Sequence, residues 1–436
     1  MTKTSIGIQE LRKRLADKAK AEKQHRFWGL YTHVWKLDLL EESYRLAKNN
    51  DGSPGIDNVN FDQIEVYGVG KFLHEISEEL RKKTYLPLAS KQVEIPKSNG
   101  KMRILKVPSI RDRVVQGALK IVMEPIFEQD FQEGSYGFRP NKSAHEALER
   151  VNEGLNKCLH HVIDLDLKSY FDLVKHDKLL SKIAERINDD DIMWLCKKIL
   201  KTSGNIGLPQ GSVIGPLWSN LYLNEVDKML EKAQKVSNEG KYERIRYTRF
   251  ADDLIVQASD QTHAKHWQVM VEKRLRQELD RLDVIVNEEK SKVIKFKIGA
   301  SFDFLGYTFR CAANRTKPGK ITVLSHPQKT KRSKLLKEVQ AFLDKSLSTP
   351  VKEVVQRYIN PRVRGWVNYF RWGNSGYDLN YVKWQVDMKI RRFASRQTPK
   401  RRGGNSWTKW SASEIYGNWG LYSDYRVSWS AVRPVS

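Results

Sequence analysis

Two groups of aspartates have the residue types and the spacing for metal-assisted chemistry. Asp252 and Asp253 are adjacent between two β-prone runs, as in a hairpin turn. Asp164 and Asp166 lie in the apolar stretch HVIDLDL, where a strand would place both side chains on one face. Neighbouring carboxylates repel one another, and a bound divalent cation removes that repulsion. Mg²⁺ prefers such hard oxygen ligands, so the pattern indicates a magnesium site.

Each group of aspartates alone is weak evidence for a metal site. An Asp-Asp pair is usually a solvated turn, and an acid in a strand can lie at a sheet edge. Together, an acid at a strand end and a later Asp-Asp turn could hold two Mg²⁺ ions about 4 Å apart. One ion would lower the pKa of an attacking hydroxyl, and the other would stabilise a leaving pyrophosphate. The combination therefore predicts nucleotidyl transfer.

The charge of the chain points to a nucleic-acid partner. Its 436 residues include 77 Lys and Arg against 52 Asp and Glu, a formal net charge of +25. Chains with such an excess usually meet a polyanion, and phosphate neutralisation makes nucleic acid the first candidate. Residues 326–436 hold 22 Lys and Arg, 7 Asp and Glu, and seven of the twelve tryptophans. Basic residues interleaved with aromatics favour single strands and structured RNA.

Composition also excludes several classes of protein. No run of about 18 apolar residues is present, which argues against a transmembrane helix and a membrane partner. Cys158, Cys196 and Cys311 are far apart, which argues against a disulfide scaffold and against a zinc site made of cysteines. The length suggests two or three domains. The expected compartment is a reducing cytoplasm, in a bacterium.

Hydrophobic periodicity places the aspartates on a mixed framework of helices and strands. Strands are predicted over 161–167 and, around a turn, over 245–258. A hairpin is predicted over 91–108 and a helix over 111–128. Beyond Pro327 three amphipathic helices are predicted, and Trp366 and Trp384 are expected to be core or helix-packing residues.

Motifs over nearly the whole chain resemble the reverse transcriptase/maturase proteins encoded by group II introns, of the type that lacks an endonuclease domain. The FADD sequence at 250–253 is similar to the double-aspartate box of these polymerases. The sequence at 357–370 strongly resembles the maturase, or X, domain, which separates this group from retroviral and retron enzymes. The other motifs that carry the resemblance are SPGID at 53–57, EIPK at 94–97, KMR at 101–103, PSIRDRVVQ at 108–116, GSYGFRP at 134–140, GLPQGS at 207–212 and SFDFLGY at 301–307.

The resemblance implies a catalytic, metal-binding triad of Asp166, Asp252 and Asp253. Asp166 is preferred over Asp164 because the aromatic residue that gates the sugar in this family lies five residues after the catalytic acid. Here that residue is Phe171, whose ring would reject a ribose hydroxyl. Asp164 would then be an accessory acid.

The resemblance also implies a nucleotide-binding set. Lys97 and Arg103 would contact the triphosphate through charge-assisted hydrogen bonds, and Lys101 could replace Lys97. Gln210 and Gly211 would shape the nucleotide and template pocket, Gly211 by letting backbone approach closely.

Two further assignments follow from the resemblance. Lys290 lies in a motif near the active site, and its role, general acid or structural, stays open. The residues implied in RNA binding are Arg357, Arg362, Arg364, Lys400, Arg401 and Arg402.

Two departures from the family pattern have consequences. Phe250 stands where the family usually has Tyr, so one hydroxyl is lost and catalysis should survive. Many relatives end in an endonuclease domain with paired cysteines and histidines, whereas no cysteine follows Cys311. This chain is therefore not expected to cut the second DNA strand.

The implied fold is α+β: a right-hand polymerase, with fingers and a palm built on an antiparallel sheet, followed by an α-helical thumb/maturase domain. The expected domains are an N-terminal helical extension (1–50), the reverse transcriptase fingers and palm (51–325), the thumb/maturase (X) domain (326–397) and a basic tail (398–436) that could bind DNA or RNA.

The implied function is that of an RNA-directed DNA polymerase (a nucleotidyltransferase) that uses two Mg²⁺ ions, for which Mn²⁺ could substitute. It would also bind its parent group II intron RNA, assist splicing and support intron mobility by target-primed reverse transcription. Its partners would be that RNA, an RNA template with a DNA primer, dNTPs and target DNA, with a homodimer left open.

Three alternatives remain beside this function. A domesticated relative without an intron could act in repair or defence, and the absence of intron RNA structure around the gene would identify it. A splicing factor with a dead polymerase is disfavoured because the three aspartates are intact. A general single-strand binder does not explain acids at strand ends in a basic protein.

Overall fold

The computed structural model of the protein describes residues 6–96, 102–238, 244–259, 265–314, 316–398 and 409–429. The chain divides into two compact units. One comprises Met1–Lys142, Ile163–Val256 and His263–Lys292, and the other comprises Ser143–Val162, Gln257–Thr262 and Val293–Ser436. Among the described residues, no helix is both long and apolar enough to cross a membrane.

The first part of the chain is mostly helical around one central helix. Its elements are α1 (Ile6–Ala21), α2 (Tyr31–Val34), α3 (Leu37–Asn49), α4 (Phe61–Tyr67), α5 (Val69–Arg81), β1 (Lys91–Pro96), β2 (Met102–Val107) and α6 (Ile110–Phe127). Helix α6 begins at the cap Ser109, whose side chain accepts from the amide of Asp112. It is buried along nearly its whole length, with α1 and α3 packed on it. The predicted hairpin over 91–108 is confirmed, with β1 and β2 antiparallel.

The next elements carry the aspartates. They are α7 (Ala144–Asn156), β3 (His161–Leu165), α8 (Tyr170–Leu173), α9 (His176–Ala184), α10 (Asp190–Lys201), α11 (Gly215–Ser237), β4 (Ile245–Phe250), β5 (Asp253–Ala258), α12 (Lys265–Arg281) and β6 (Lys292–Lys295). Four strands form one sheet in the order β4-β5-β3-β6. Strands β4 and β5 are neighbours joined by two residues, so they form a hairpin, as the sequence predicts. The central position of β5 beside β3 brings the two groups of aspartates to adjacent strands.

The last part of the chain holds a second sheet and a helical core. Its elements are β7 (Ser301–Phe304), β8 (Tyr307–Ala313), β9 (Ile321–Pro327), α13 (Lys329–Lys345), α14 (Val351–Glu353), a π-helical turn (Val354–Ile359), α15 (Asn360–Phe370), α16 (Gly376–Gln397) and a second π-helical turn (Ser413–Asn418). Strands β7, β8 and β9 are antiparallel. The mixture of helices with antiparallel strands and a helical C-terminal part confirms the predicted α+β class.

The helical core includes part of the predicted basic tail. Helices α13, α15 and α16 contribute its apolar residues, and Trp410, Ile415 and Trp419 are buried in the same cluster. Trp366 packs partly buried against this core, as expected. The expectation that Trp384 packs inside the core is wrong, because its side chain is exposed. The apolar residues of α16 that face the core lie on the opposite side of the helix.

A proline explains the irregular start of the maturase motif. Pro361 has no amide hydrogen, so it cannot donate the helical hydrogen bond to the carbonyl of Arg357. The turn before it widens into the π-helix Val354–Ile359. Turns of this kind are rare and are often found at functional sites.

Candidate active site

The Asp252-Asp253 pair lies in the tight turn between β4 and β5. Ala251 has a φ of 57°, in the left-handed region, which costs a residue with a Cβ atom about 1–2 kcal/mol. Asp253 is the first residue of β5. The turn therefore needs further contacts to hold its shape, and the buried side chain of Arg249 in β4 supplies them.

Arg249 anchors this turn through a fully buried network. Its side chain is 1% exposed, and that of its ion-pair partner Asp227 is 0% exposed. Arg249 Nε donates to Asp227 Oδ1 at 2.8 Å, and a second nitrogen donates to the other carboxylate oxygen. Nη1 donates to Asn220 Oδ1 at 3.0 Å and to the carbonyl of Ala251 at 2.8 Å, and Nη2 donates to Ser135 Oγ at 2.7 Å. Burial alone lowers the pKa of Arg249, but the Asp227 carboxylate outweighs it and raises the pKa.

The GSYGFRP segment (134–140) supports the turn through backbone hydrogen bonds to Arg249. The amide of Arg249 donates to the carbonyl of Gly134 at 2.8 Å, and the amide of Tyr136 donates to the carbonyl of Arg249 at 2.8 Å. A Cβ atom on Gly137 would overlap the amide nitrogen of Ala251. Glycine is therefore required where this segment meets the aspartate turn.

Asp166 lies immediately after β3 and is oriented by a second segment. Its amide donates to Ser291 Oγ at 3.1 Å. Its Oδ2 accepts from Asn287 Nδ2 at 2.8 Å and from Lys290 Nζ at 3.4 Å. Lys290, whose role the sequence left open, thus contacts one of the candidate catalytic carboxylates.

Asp253 lies within electrostatic reach of the three other aspartates, Asp164, Asp166 and Asp252. Desolvation, together with repulsion from Asp252, Asp164 and Asp166, raises the pKa of Asp253 to about 7, and Lys290 opposes the rise. Asp253 is exposed to solvent, so water tempers the desolvation, and repulsion among the acids is the cause that the structure supports best. The two groups of aspartates in the sequence therefore meet at one site.

This donor set suits a hard divalent cation. Mg²⁺ often takes one or two carboxylates and completes its shell with substrate phosphates and water. Over the part of the chain that the structure describes, no group of three or more His, Cys, Asp or Glu side chains is placed so that it could hold a metal ion. Asp166, Asp252 and Asp253 could supply carboxylate ligands to an ion that also binds substrate phosphates.

The raised pKa of Asp253 predicts that the affinity for a divalent metal ion depends on pH. Metal binds the ionised carboxylate, and an Asp253 with a pKa of about 7 is mostly protonated at pH 6 and mostly ionised at pH 8. We expect the apparent affinity for Mn²⁺, used as a paramagnetic probe, to rise about tenfold between these two values of pH. Electron paramagnetic resonance titration of the protein measures it. The Asp253→Asn variant should lack this rise, and equal affinity of the unaltered protein at both pH values would contradict the prediction.

The residues predicted to shape the nucleotide pocket form a second connected group. Phe171 is half-buried in α8, and its carbonyl accepts from the amide of Leu208 at 2.6 Å. Gln210 Nε2 donates to Asp172 Oδ1 at 3.0 Å, next to Phe171. Gly211 has a φ of 114°, and a Cβ there would lie 2.7 Å from the carbonyl oxygen of Lys106. The structure therefore brings Phe171 and the GLPQGS loop together and joins that loop to β2.

Several other predicted site residues lie outside the described part of the structure. Lys97 and its alternative Lys101 are outside them, and so are Lys400, Arg401 and Arg402. Arg103 belongs to β2, but its side chain is outside the described part of the structure.

Three predicted RNA-binding arginines belong to the unit that contains the helical core. Arg357 pairs with Glu353 at 2.9 Å. Arg362 lies over the ring of Phe342, 5.4 Å from its centroid, and Arg364 lies 5.7 Å from the centroid of Tyr422.

Sequence reasoning missed the residues that support the aspartates. Arg249 adjoins the FADD box in an apolar strand, where a charge needs a buried partner, so it could have been singled out. Its partners Ser135, Asn220 and Asp227 are far away in sequence, and no local pattern identifies them. Asn287 lies in the motif of Lys290 but was not selected.

Comparison with known proteins agrees with this geometry. Residues 95–309 match the family model described as reverse transcriptase (RNA-dependent DNA polymerase). Residues 332–412 match the model described as group II intron, maturase-specific domain. The first match contains the aspartates and the GLPQGS loop, and the second contains most of α13 and the whole of α15 and α16.

Two relatives cover most of this chain. It is 33% identical over 368 residues to Protein YkfC of Escherichia coli (strain K12), an alignment that spans 75% of this chain and 94% of that protein. It is 24% identical over 483 aligned positions to the group II intron-encoded protein LtrA of Lactococcus lactis subsp. cremoris, across 91% of this chain and 78% of LtrA. The chain is an RNA-directed DNA polymerase and belongs to the family of group II intron-encoded reverse transcriptase/maturases.

Proposed function

We propose that this protein binds its parent group II intron RNA, assists the splicing of that RNA and supports intron mobility by target-primed reverse transcription. The observation that carries the proposal is the match of residues 332–412 to the maturase-specific domain. Its basic composition supports RNA as the ligand, since residues 326–436 carry 22 Lys and Arg against 7 Asp and Glu. The partners would be the intron RNA, an RNA template with a DNA primer, dNTPs and target DNA.

Polymerisation would use Asp166, Asp252 and Asp253 as the ligands of two Mg²⁺ ions, with Mn²⁺ as a substitute. When bound, the ions would activate the primer hydroxyl and stabilise the leaving pyrophosphate. Arg249 would keep the Asp252-Asp253 turn in place, and Asn287 would orient Asp166.

The nucleotide would lie against the second connected group. Phe171 would pack against the sugar, and Gln210 and Gly211 would form the wall of the pocket. Lys97 and Arg103 would contact the triphosphate.

The domain division at 1–50, 51–325, 326–397 and 398–436 stays a prediction, as does the cytoplasmic location.

RNA recognition is proposed to use the surface of the maturase unit and the basic segment beyond it. The π-helical turn places Arg357 beside α15, from which Arg362 and Arg364 project. Each of these guanidinium groups can pair with phosphate oxygens. The whole proposed set is Arg357, Arg362, Arg364, Lys400, Arg401 and Arg402.

A splicing assay tests the proposal. The precursor RNA that surrounds the gene is incubated at a Mg²⁺ concentration too low for self-splicing, with and without the full-length protein. Splicing should depend on the protein and should persist with the Asp252→Ala/Asp253→Ala variant, because the RNA supplies the splicing chemistry. The Arg357→Ala/Arg362→Ala/Arg364→Ala variant should splice more slowly.

Two outcomes would overturn the splicing proposal. If the flanking RNA has no intron structure, or if the protein accelerates no splicing while it still extends primers, the protein is a polymerase alone. A domesticated relative acting in repair or defence would then be the better description.

A further inference from the structure

Helix α16 carries a row of aromatic side chains on its outer side. Tyr377, Tyr381 and Trp384 are spaced by four and three residues, so they share one face of the helix. Tyr377 is 75% exposed and Trp384 is 50% exposed. The rings of Tyr381 and Trp384 have centroids 6.3 Å apart. We call these three residues the α16 aromatic face.

The α16 aromatic face is not needed to pack the helix. Leu379, Val382, Val386, Ile390 and Phe393 are buried on the opposite side and join α16 to the helical core. The folded unit therefore leaves two large rings in water, although burial of such rings is favourable. A ligand with flat apolar surfaces would cover them.

The charge around the α16 aromatic face is positive. Helix α16 contains five Lys and Arg residues and two aspartates. Both aspartates are ion-paired: Asp378 with Arg332 at 2.7 Å, and Asp387 with Arg391 in the interior. Arg392 is exposed and lies 60° around the helix from Tyr377 at about 100° per residue, eight residues or about 12 Å beyond Trp384 along the axis. The face thus offers two exposed rings with an exposed cation further along the same side, and the carboxylates of α16 are already ion-paired.

A guanidinium group already lies on one of these rings. Arg332 of α13 lies over Tyr381, 4.2 Å from the ring centroid. This contact holds Tyr381 in place, while the charge of the guanidinium group is balanced by Asp378. The ring in the middle of the face is therefore prearranged in the structure.

We propose that the α16 aromatic face binds unpaired bases of single-stranded RNA, with Tyr377 and Trp384 stacking on the bases and Arg392 contacting phosphate. Base faces are accessible only in unpaired segments, since a duplex stacks them on one another. Stacking of bases on aromatic side chains beside basic residues is the usual mode for single strands. The inference rests on the proposed function only in taking RNA as the polyanion that this protein meets.

The test compares RNA that has bases with RNA that has none. The probe is a fluorescein-labelled twelve-nucleotide oligouridine, and its control is an abasic ribose–phosphate oligomer of equal length. Binding of each to the full-length protein is measured by fluorescence anisotropy at constant salt. The ratio of the two affinities reports base stacking and cancels most of the phosphate contribution.

The variants separate the α16 aromatic face from other contacts. Tyr377→Ala/Trp384→Ala should reduce the preference for the base-containing oligomer about tenfold. Tyr377→Phe/Trp384→Phe should keep most of it, since the rings remain. Trp28→Ala is the matched control, because Trp28 is 75% exposed and lies outside both α16 and the basic tail. Photocrosslinking of a 5-iodouridine oligomer to the unaltered protein should label the peptide that contains Tyr377 or Trp384.

Two results would overturn the inference. One is an unchanged base preference in Tyr377→Ala/Trp384→Ala, with no crosslink to α16. The other is a change in the sedimentation of the RNA-free protein caused by the same variant, which would make this face a protein contact. Primer extension and splicing by the unaltered protein, measured in the same preparations, report the proposed function separately.

Discussion

Replacement of Asp227 by alanine is expected to lower the free energy of unfolding by about 3–5 kcal/mol. The change leaves Arg249, whose side chain is 1% exposed, as a buried charge without its ion-pair partner. Urea-induced unfolding, followed by tryptophan fluorescence and circular dichroism, measures the loss. Glu353→Ala is the matched control, because its exposed pair with Arg357 should contribute less than about 1 kcal/mol.

A double variant separates stability from positioning at the same pair. Asp227→Leu/Arg249→Met removes both charges, and such replacements are often neutral or even stabilising. It should recover most of the stability that Asp227→Ala loses. Primer extension should stay impaired, because the hydrogen bond from Arg249 to the carbonyl of Ala251 is gone. Full polymerase activity in this double variant would show that Arg249 does not position the aspartate turn.

The second large effect is expected at Asp166. Asp166→Asn should lower the kcat of primer extension by about a thousandfold or more, because a metal ligand supplies several kcal/mol of charge stabilisation. Asp164→Asn should lower it by about tenfold or less. Asp166 lies after the end of β3 and accepts hydrogen bonds from Asn287 and Lys290, whereas Asp164 lies within the strand.

Steady-state primer extension on an RNA template, with both variants purified in parallel, distinguishes the two acids. Thermal unfolding of each variant shows whether a lost activity reflects lost folding. A larger loss in Asp164→Asn than in Asp166→Asn would reverse the assignment of the catalytic acid. It would also remove the argument for Phe171, whose role follows from its distance of five residues from Asp166.

The sequence sufficed for the parts of the site that depend on local patterns. Strand periodicity and the FADD box located β3, β4, β5 and the acids that they carry. The buried network of Arg249 could not be foreseen, because Ser135, Asn220 and Asp227 approach it only after the chain has folded. Contacts between residues so distant in sequence leave no local periodicity.

The misassignment of Trp384 has a different cause. Hydrophobicity alone favours a buried tryptophan, but Leu379, Val382 and Val386 define the core side of α16, and Trp384 lies on the other side. Helical spacing was therefore the better guide than residue type. Trp410 and Trp419 show the opposite case. Both are buried core residues, although they lie in the basic tail that was predicted to bind DNA or RNA.

The most direct test of the account is primer extension on an RNA template with Mg²⁺, comparing the protein with its Asp252→Ala/Asp253→Ala variant. We expect full-length cDNA from the unaltered protein and none from the variant, with RNA bound by both. No cDNA from either protein, with tight RNA binding by both, would contradict it. The protein would then bind RNA as a splicing factor without polymerase activity.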